Sequence, residues 1–203
     1  PSRARARDSG ANLDTRSMFH ELTTKLHATG AHDPQVRAIS DPAAGSQPVE
    51  REIVRWMAEL AGGLAHAHAR GVLHGDLKPA NVLLAEDGQP LLMDFNLSQE
   101  VGVRTSDAGF AGGTLPYMSP EQIQRLWTPT TLGPPADLYS LGIILFELLA
   151  GERPFASSKG MLREVTAAAL AERRKGAPAL STLAPDCSPA VAAAVRQLLA
   201  ERP

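Results

Sequence analysis

One cysteine, Cys187, stands in the whole chain, so no disulfide can close within it, and a lone thiol is compatible with a reducing compartment. Neither sign of charge is in excess. Twenty Lys and Arg against 22 Asp and Glu leave a formal net charge of −2, which gives no electrostatic case for nucleic acid or an anionic membrane. The Arg3, Arg5 and Arg7 cluster reads as a solvated segment. Long apolar runs are missing too. Leu141 to Ala150 is short and carries Glu147, as a buried helix does and a membrane span does not. No targeting segment is visible, and the six histidines with Cys187 show no zinc-ligand spacing. No Gly-x-Gly-x-x-Gly occurs anywhere, and no internal repeat. The chain opens at Pro1 without Met and is read as a processed product or a fragment.

What is present falls into two parts. Residues 1–49 are rich in Arg, Ala, Ser, Asp and Pro, with one helix expected from about Thr15 to Ala28 and a loop from Thr29 to Gln47. From Val49 the pattern tightens. Ile53, Trp56, Met57, Leu60 and Leu64 recur at helical spacing, predicting a long amphipathic helix stopped by Gly71. Gly62-Gly63 inside it suggests close packing against a neighbour. Val72-Leu73 is expected as a short strand. Val82 to Leu84 and Leu91 to Met93, separated by Glu86-Asp-Gly88, predict a hairpin. Asp94 to about Ser119 carries no period, and a loop that long in a compact domain is usually functional. A strongly apolar helix over Ala136 to Leu149 should end at Gly151, and two Ala-rich helices follow near 160–173 and 188–200. The fold class expected is mainly α, a helical bundle with a short β-hairpin.

Two strings carry chemistry: His74-Gly-Asp-Leu-Lys-Pro-Ala-Asn81 and Met93-Asp-Phe-Asn96. Phosphoryl transfer asks little of covalent chemistry and much of positioning and charge neutralisation. Asp76, on a loop, suits acceptance of a hydroxyl proton, and Lys78 could neutralise charge on the moving phosphate. Asn81 and Asp94 offer the oxygen ligands that Mg²⁺ prefers. A hairpin between them brings both strand ends to one edge, so these groups are expected to converge. Either string alone is weak and occurs by chance or as an ordinary turn. His66, His68 and His74 read as surface or packing groups, Trp56 as core, and Trp127 as packed where the long loop ends.

Residues from about 50 to 203 resemble the larger, C-terminal lobe of eukaryotic-like serine/threonine protein kinases. The resemblance rests on the two strings above together with Gly113-Thr-Leu-Pro-Tyr-Met-Ser-Pro-Glu121, Asp137-Leu-Tyr-Ser-Leu-Gly142 and Gly151-Glu-Arg-Pro-Phe155, in the family's order. The style of Gly-Gly-Thr-Leu-Pro-Tyr-Met is similar to bacterial members. The resemblance implies ATP and Mg²⁺, a protein substrate and a cytoplasmic catalytic part, whose parent could be membrane-anchored. By position, Asp76 would be the catalytic base, Lys78 the phosphate contact, and Asn81 and Asp94 the metal ligands. Thr114 would bond toward Asp76 and Lys78, Glu121 would be a structural acid, and Asp137 would brace the catalytic loop. Residues 1–49 would be an irregular segment between lobes, with an insertion, and 50–203 the C-lobe, truncated before its end.

Four departures bear on activity. Gly75 stands where many kinases carry an arginine that grips a phosphorylated activation loop. Thr105 and Ser106 are the hydroxyls open to phosphorylation in that segment. Asn96 replaces a glycine, a mild change because Asn tolerates positive φ. The arginine expected to pair with Glu121 is not reached; Arg202 is a poorly spaced substitute. A buried acid without its partner costs about 3–5 kcal/mol, so low stability is expected. Finally, none of Lys25, Lys78, Lys159 and Lys175 can be the strand lysine that pairs with ATP phosphates, so the smaller lobe is absent. Two other readings stay open. A small-molecule phosphotransferase of the aminoglycoside or choline type would be at home with Gly75, and a non-catalytic docking module would suit a half site.

Overall fold

The computed structural model describes residues 47–85, 87–95 and 114–200. The helix expected over Thr15–Ala28, the loop after it up to residue 46, Asn96, Thr105, Ser106, Gly113 and Arg202 lie outside these residues.

Helix α1 spans Gln47–His68. Its inward stripe is Ile53, Trp56, Met57, Leu60 and Leu64, each under a tenth exposed, as the helical period predicts. Burying Trp56 strands an indole N–H unless it finds an acceptor; it donates to Gly88 O at 3.1 Å. After His68 the chain tightens. Gly71 N donates to His68 O and Val72 N to Ala67 O, with Gly71 at φ 73°, so the end of the helix is closed by a left-handed glycine. The strand expected at Val72-Leu73 does not form. Val72 makes only an isolated bridge, because the chain turns at once into the loop at His74.

A 3-10 turn, Pro79–Asn81, leads into strand β1 (Val82–Leu84), which pairs antiparallel with β2 (Pro90–Leu92) in the register Val82 to Leu92. The period-2 pleat decides the faces. Leu83 and Leu91 point outward, while Val82, Leu84 and Leu92 pack on the core. Leu92 also meets Gly63 of α1, where a Cβ would lie 3.3 Å from Leu92 Cδ1. Gly62 has nothing within 4 Å, so only one of the paired glycines serves close packing.

A second 3-10 turn, Leu115–Tyr117, is followed by helix α2, Pro120–Arg125, a segment that the sequence pattern left irregular. Local chemistry explains it. Ser119 and Gln122 form a reciprocal capping box, and Pro120 sits at the first helical position. Helix α3, Pro134–Ala150, is buried on nearly every side from Ala136 to Phe146 and ends at Gly151, φ 74°. It is the axis of the molecule: α1 packs on it, as does α6 (Pro189–Leu198). Gly142 permits the second contact, since a Cβ there would lie 2.7 Å from Leu198 Cβ. Phe146, fully buried on this axis, is worth about 2–3 kcal/mol of apolar transfer on its own.

Helix α4 spans Leu162–Lys175, and a short α5, Leu180–Leu183, sits between it and α6. A second, smaller core of Leu115, Ile123 and Ala169, with Met118 and Val165 against it, joins α4 to α2 and the 115–117 turn. Trp127 closes this edge. Its indole N–H donates to Thr166 Oγ1 at 3.0 Å and Arg163 lies 4.9 Å over its ring, although nearly half of the side chain stays exposed. No helix of the described residues is long and apolar enough to cross a membrane.

Candidate active site

The loop from His74 to Lys78 has no regular structure, so its backbone groups must find partners elsewhere. Asp137, in the first turn of α3 and 1% exposed, supplies them. Its Oδ2 accepts from His74 N and its Oδ1 from Gly75 N, both at 2.9 Å. Oδ2 also accepts from His68 Nε2 at 2.7 Å, so of the surface and packing roles expected for His68 the structure gives it the second, as a bonded, largely buried partner of the loop. Gly75 turns the chain at φ 74°, and its carbonyl accepts from Gln122 Nε2 at 2.8 Å.

His74 is fully buried. Its Nε2 lies 2.9 Å from Met93 O, an acceptor only, while Asp76 N donates weakly to its Nδ1 at 3.4 Å. The tautomer with its hydrogen on Nε2 satisfies both contacts. The ring thus ties the loop to the end of β2, and it lies 4.8 Å from the Phe95 ring.

Four of the five site residues are joined directly. Lys78 Nζ donates to Asp76 Oδ2 at 2.7 Å and to Thr114 Oγ1 at 3.1 Å. Asn81 Nδ2 donates to Asp76 O at 2.8 Å and to Asp76 Oδ2 at 3.3 Å. Asn81 spends its NH₂ on Asp76, which leaves Oδ1 as the oxygen it can present to a cation. Asp76 is 8% exposed, and its Oδ1 is buried with no hydrogen-bond partner among the described residues.

Asp94 stands apart. Met93 N donates to Asn81 O at 2.9 Å, which places the residue after it at the same sheet edge as Asn81. Its own side chain is exposed, and its backbone is left-handed at φ 59°, which Asp tolerates better than most residues. No cluster of three or more His, Cys, Asp or Glu side chains suited to a metal occurs among the described residues. The available donors are hard oxygens, Asn81 Oδ1 and the Asp94 carboxylate. That set fits Mg²⁺, which takes one or two protein ligands and completes its shell with water and substrate phosphates.

The floor of the site is held from behind. Ser140 Oγ donates to Tyr117 O at 2.7 Å, and Tyr117 OH to Glu147 Oε2 at 2.7 Å. Burial pushes the Glu147 carboxyl upward, only partly countered by Tyr117 and by Arg153. Arg173, 5% exposed, extends from α4 to the carbonyls of Leu115, Pro116 and Met118. Burial pulls its pKa down to about 10, still far enough above neutrality for it to keep its charge. Neither Arg173 nor Gln122 was singled out from sequence; only the proximity of Gln122 to Glu121 could have pointed to it. Glu121 is half-buried, and among the described residues no cation pairs with it. The penalty expected for a fully buried, partnerless acid therefore does not apply in full.

Comparison with known proteins decides the family. The model of the protein kinase domain matches residues 34–203. The chain belongs to the protein kinase family. This kinase domain is 38% identical over 169 residues to human ribosomal protein S6 kinase alpha-1, covering 78% of the chain and 22% of that protein. It is 37% identical over 169 residues to chicken ribosomal protein S6 kinase 2 alpha, with the same coverage, and 37% identical over 109 residues to Arabidopsis thaliana serine/threonine-protein kinase AtPK1/AtPK6, covering 54% of the chain. The chain spans 22% of the length of each of these three relatives.

Proposed function

We propose that this kinase domain transfers the γ-phosphate of ATP to Ser or Thr hydroxyls of a protein in its intact parent. The observation that supports this most is the orphan oxygen of Asp76. A buried carboxylate oxygen without a donor is costly, and an incoming hydroxyl would relieve it. As that hydroxyl's oxygen bonds to phosphorus and the bond to the ADP oxygen breaks, its proton passes to Asp76 Oδ1. Oδ2, bonded to Lys78 and Asn81, keeps the carboxylate from rotating. Lys78, held between Asp76 and Thr114, stands where its charge can neutralise the transferring phosphate. Asn81 and Asp94 are the residues that would hold Mg²⁺, which supplies neutralisation of phosphate charge.

The glycine-rich loop and strand lysine are not among these 203 residues, so the phosphate clamp of the smaller lobe is assigned to chain outside them. Residues 50–203 are assigned to the C-lobe. The bacterial style rests on the Gly-Gly-Thr-Leu-Pro-Tyr-Met string, and a cytoplasmic placement on the lone cysteine. The family match, together with the braced 114–118 turn, favours a peptide acceptor over the small-molecule reading that Gly75 invites.

The test is transfer of labelled phosphate from ATP to a Ser/Thr protein substrate by the full-length parent, its Asp76→Asn variant and the 203-residue chain. Transfer is expected from the parent alone. Activity retained in Asp76→Asn, or robust transfer by the isolated chain, overturns the assignment.

A further inference from the structure

Among the described residues, no carboxylate pairs with the buried cation of Arg173. Its Nε donates to Met118 O at 2.7 Å, Nη2 to Leu115 O at 3.0 Å and to Pro116 O at 3.1 Å, and Nη1 to Ala169 O at 3.1 Å. Its guanidinium lies 5.0 Å over the Phe155 ring. Burying an unpaired charge is among the most costly acts in a fold, and here carbonyl dipoles and a ring face offset that cost. Three of those carbonyls lie within four residues of Thr114, and Thr114 Oγ1 is what receives Lys78 Nζ. The segment has a second anchor on α3, through Ser140 and Glu147, but that anchor grips only Tyr117.

We infer that Arg173 is a positioning residue for phosphoryl transfer: by holding the carbonyls of Leu115, Pro116 and Met118, it sets the place of Thr114 and, through it, of Lys78 beside Asp76. This rests on the kinase reading above. The planar fork is what the arrangement requires. A lysine delivers its donors from one point and cannot reproduce contacts made by separate nitrogens of the fork, while an apolar residue takes the donor from Pro116 O and Met118 O and leaves Leu115 O with the Met118 N–H alone. Arg173 also borders a cavity of about 610 Å³ between α4 and the turn, lined by Leu115, Pro116, Phe155, Leu162 and Val165. Truncation at position 173 therefore leaves a space that a small guanidinium ion can enter from solvent.

The experiment uses the full-length parent and its Arg173→Lys, Arg173→Ala, Thr114→Ala and Arg173→Lys/Thr114→Ala variants. The readouts are kcat and KM for a peptide substrate, KM for ATP, and the thermal midpoint. Arg173→Lys is expected to lower kcat/KM for the peptide about tenfold, the effect of one or two lost charge-assisted hydrogen bonds, while KM for ATP stays within about twofold. Because the effect runs through Thr114, the double variant should be scarcely worse than Thr114→Ala, a non-additivity that mere loosening of the fold does not give. Millimolar methylguanidinium should restore part of the lost rate to Arg173→Ala and none to Thr114→Ala. Additive losses, an ATP KM that rises as much as the peptide KM, or an unchanged Arg173→Lys overturn the inference. An inactive wild-type parent instead overturns the kinase reading beneath it.

Discussion

The side-chain amide of Gln122 donates to the carbonyl of Gly75 at 2.8 Å, so the loop from His74 to Lys78 is tied to α2 through a neutral group. The same Gln122 closes the capping box of α2 by accepting from Ser119 N at 2.9 Å. One side chain fixes both the loop and α2. A phosphate would find no charge at position 75 to bond with.

Phosphatase treatment of the parent is therefore expected to leave peptide phosphorylation within about twofold of the untreated rate, since no residue-75 cation awaits a phosphate. Radiometric assay before and after treatment checks this. A fall of an order of magnitude on dephosphorylation would show that another cation does the gripping.

Asp137 carries a different load. Its carboxylate is the acceptor for two backbone N–H groups and for His68. Asp137→Ala leaves these donors buried and unanswered, and should lower unfolding free energy by about 3–5 kcal/mol in denaturant titration. His68→Ala removes one donor and leaves the backbone pair intact, so its loss should be about 1 kcal/mol. Equal losses for the two variants would mean that the backbone contacts contribute little.

Cys187 gives a pH-resolved check. Burial first, and the negative charge of Glu50 second, push its thiol up to about 11. A raised thiol pKa keeps the neutral, unreactive form present until pH approaches that value. Iodoacetamide should modify Cys187 at pH 8 on the order of a hundredfold more slowly than a free cysteine, with the rate still climbing past pH 10. Glu50→Gln removes the charge and should shift the profile to lower pH. A plateau near pH 9 in the native protein would contradict the environment described.

Much of the framework was legible because its signals are local and periodic. The stripe from Ile53 to Leu64, the hairpin around Gly88 and the apolar run that became α3 all announce themselves in spacing. The second strand begins and ends one residue earlier than expected, at Pro90–Leu92, and α2 was missed because a six-residue helix held by a capping box has too few turns to show a period. In the site, motif residues were visible as strings, and Asp76, Lys78, Asn81 and Thr114 are bonded to one another. Convergence of Asp94 with them was an inference from the hairpin. The structure sets its backbone at the same edge with the side chain facing solvent. His68, Gln122 and Arg173 were illegible for another reason: Gln122 and Arg173 act through backbone carbonyls, and His68 through a carboxylate, of segments distant in sequence, and such partners leave no pattern of their own.

Glycine in the middle of a helix forfeits about 1 kcal/mol of propensity, yet α3 keeps one at position 142. There the missing methyl lets Leu198 and Leu199 nest against the axis. Any side chain at this point would press on Leu198 and Leu199, so a silent seam that tolerates little change lies on the same helix as Asp137, about 7.5 Å further along its axis.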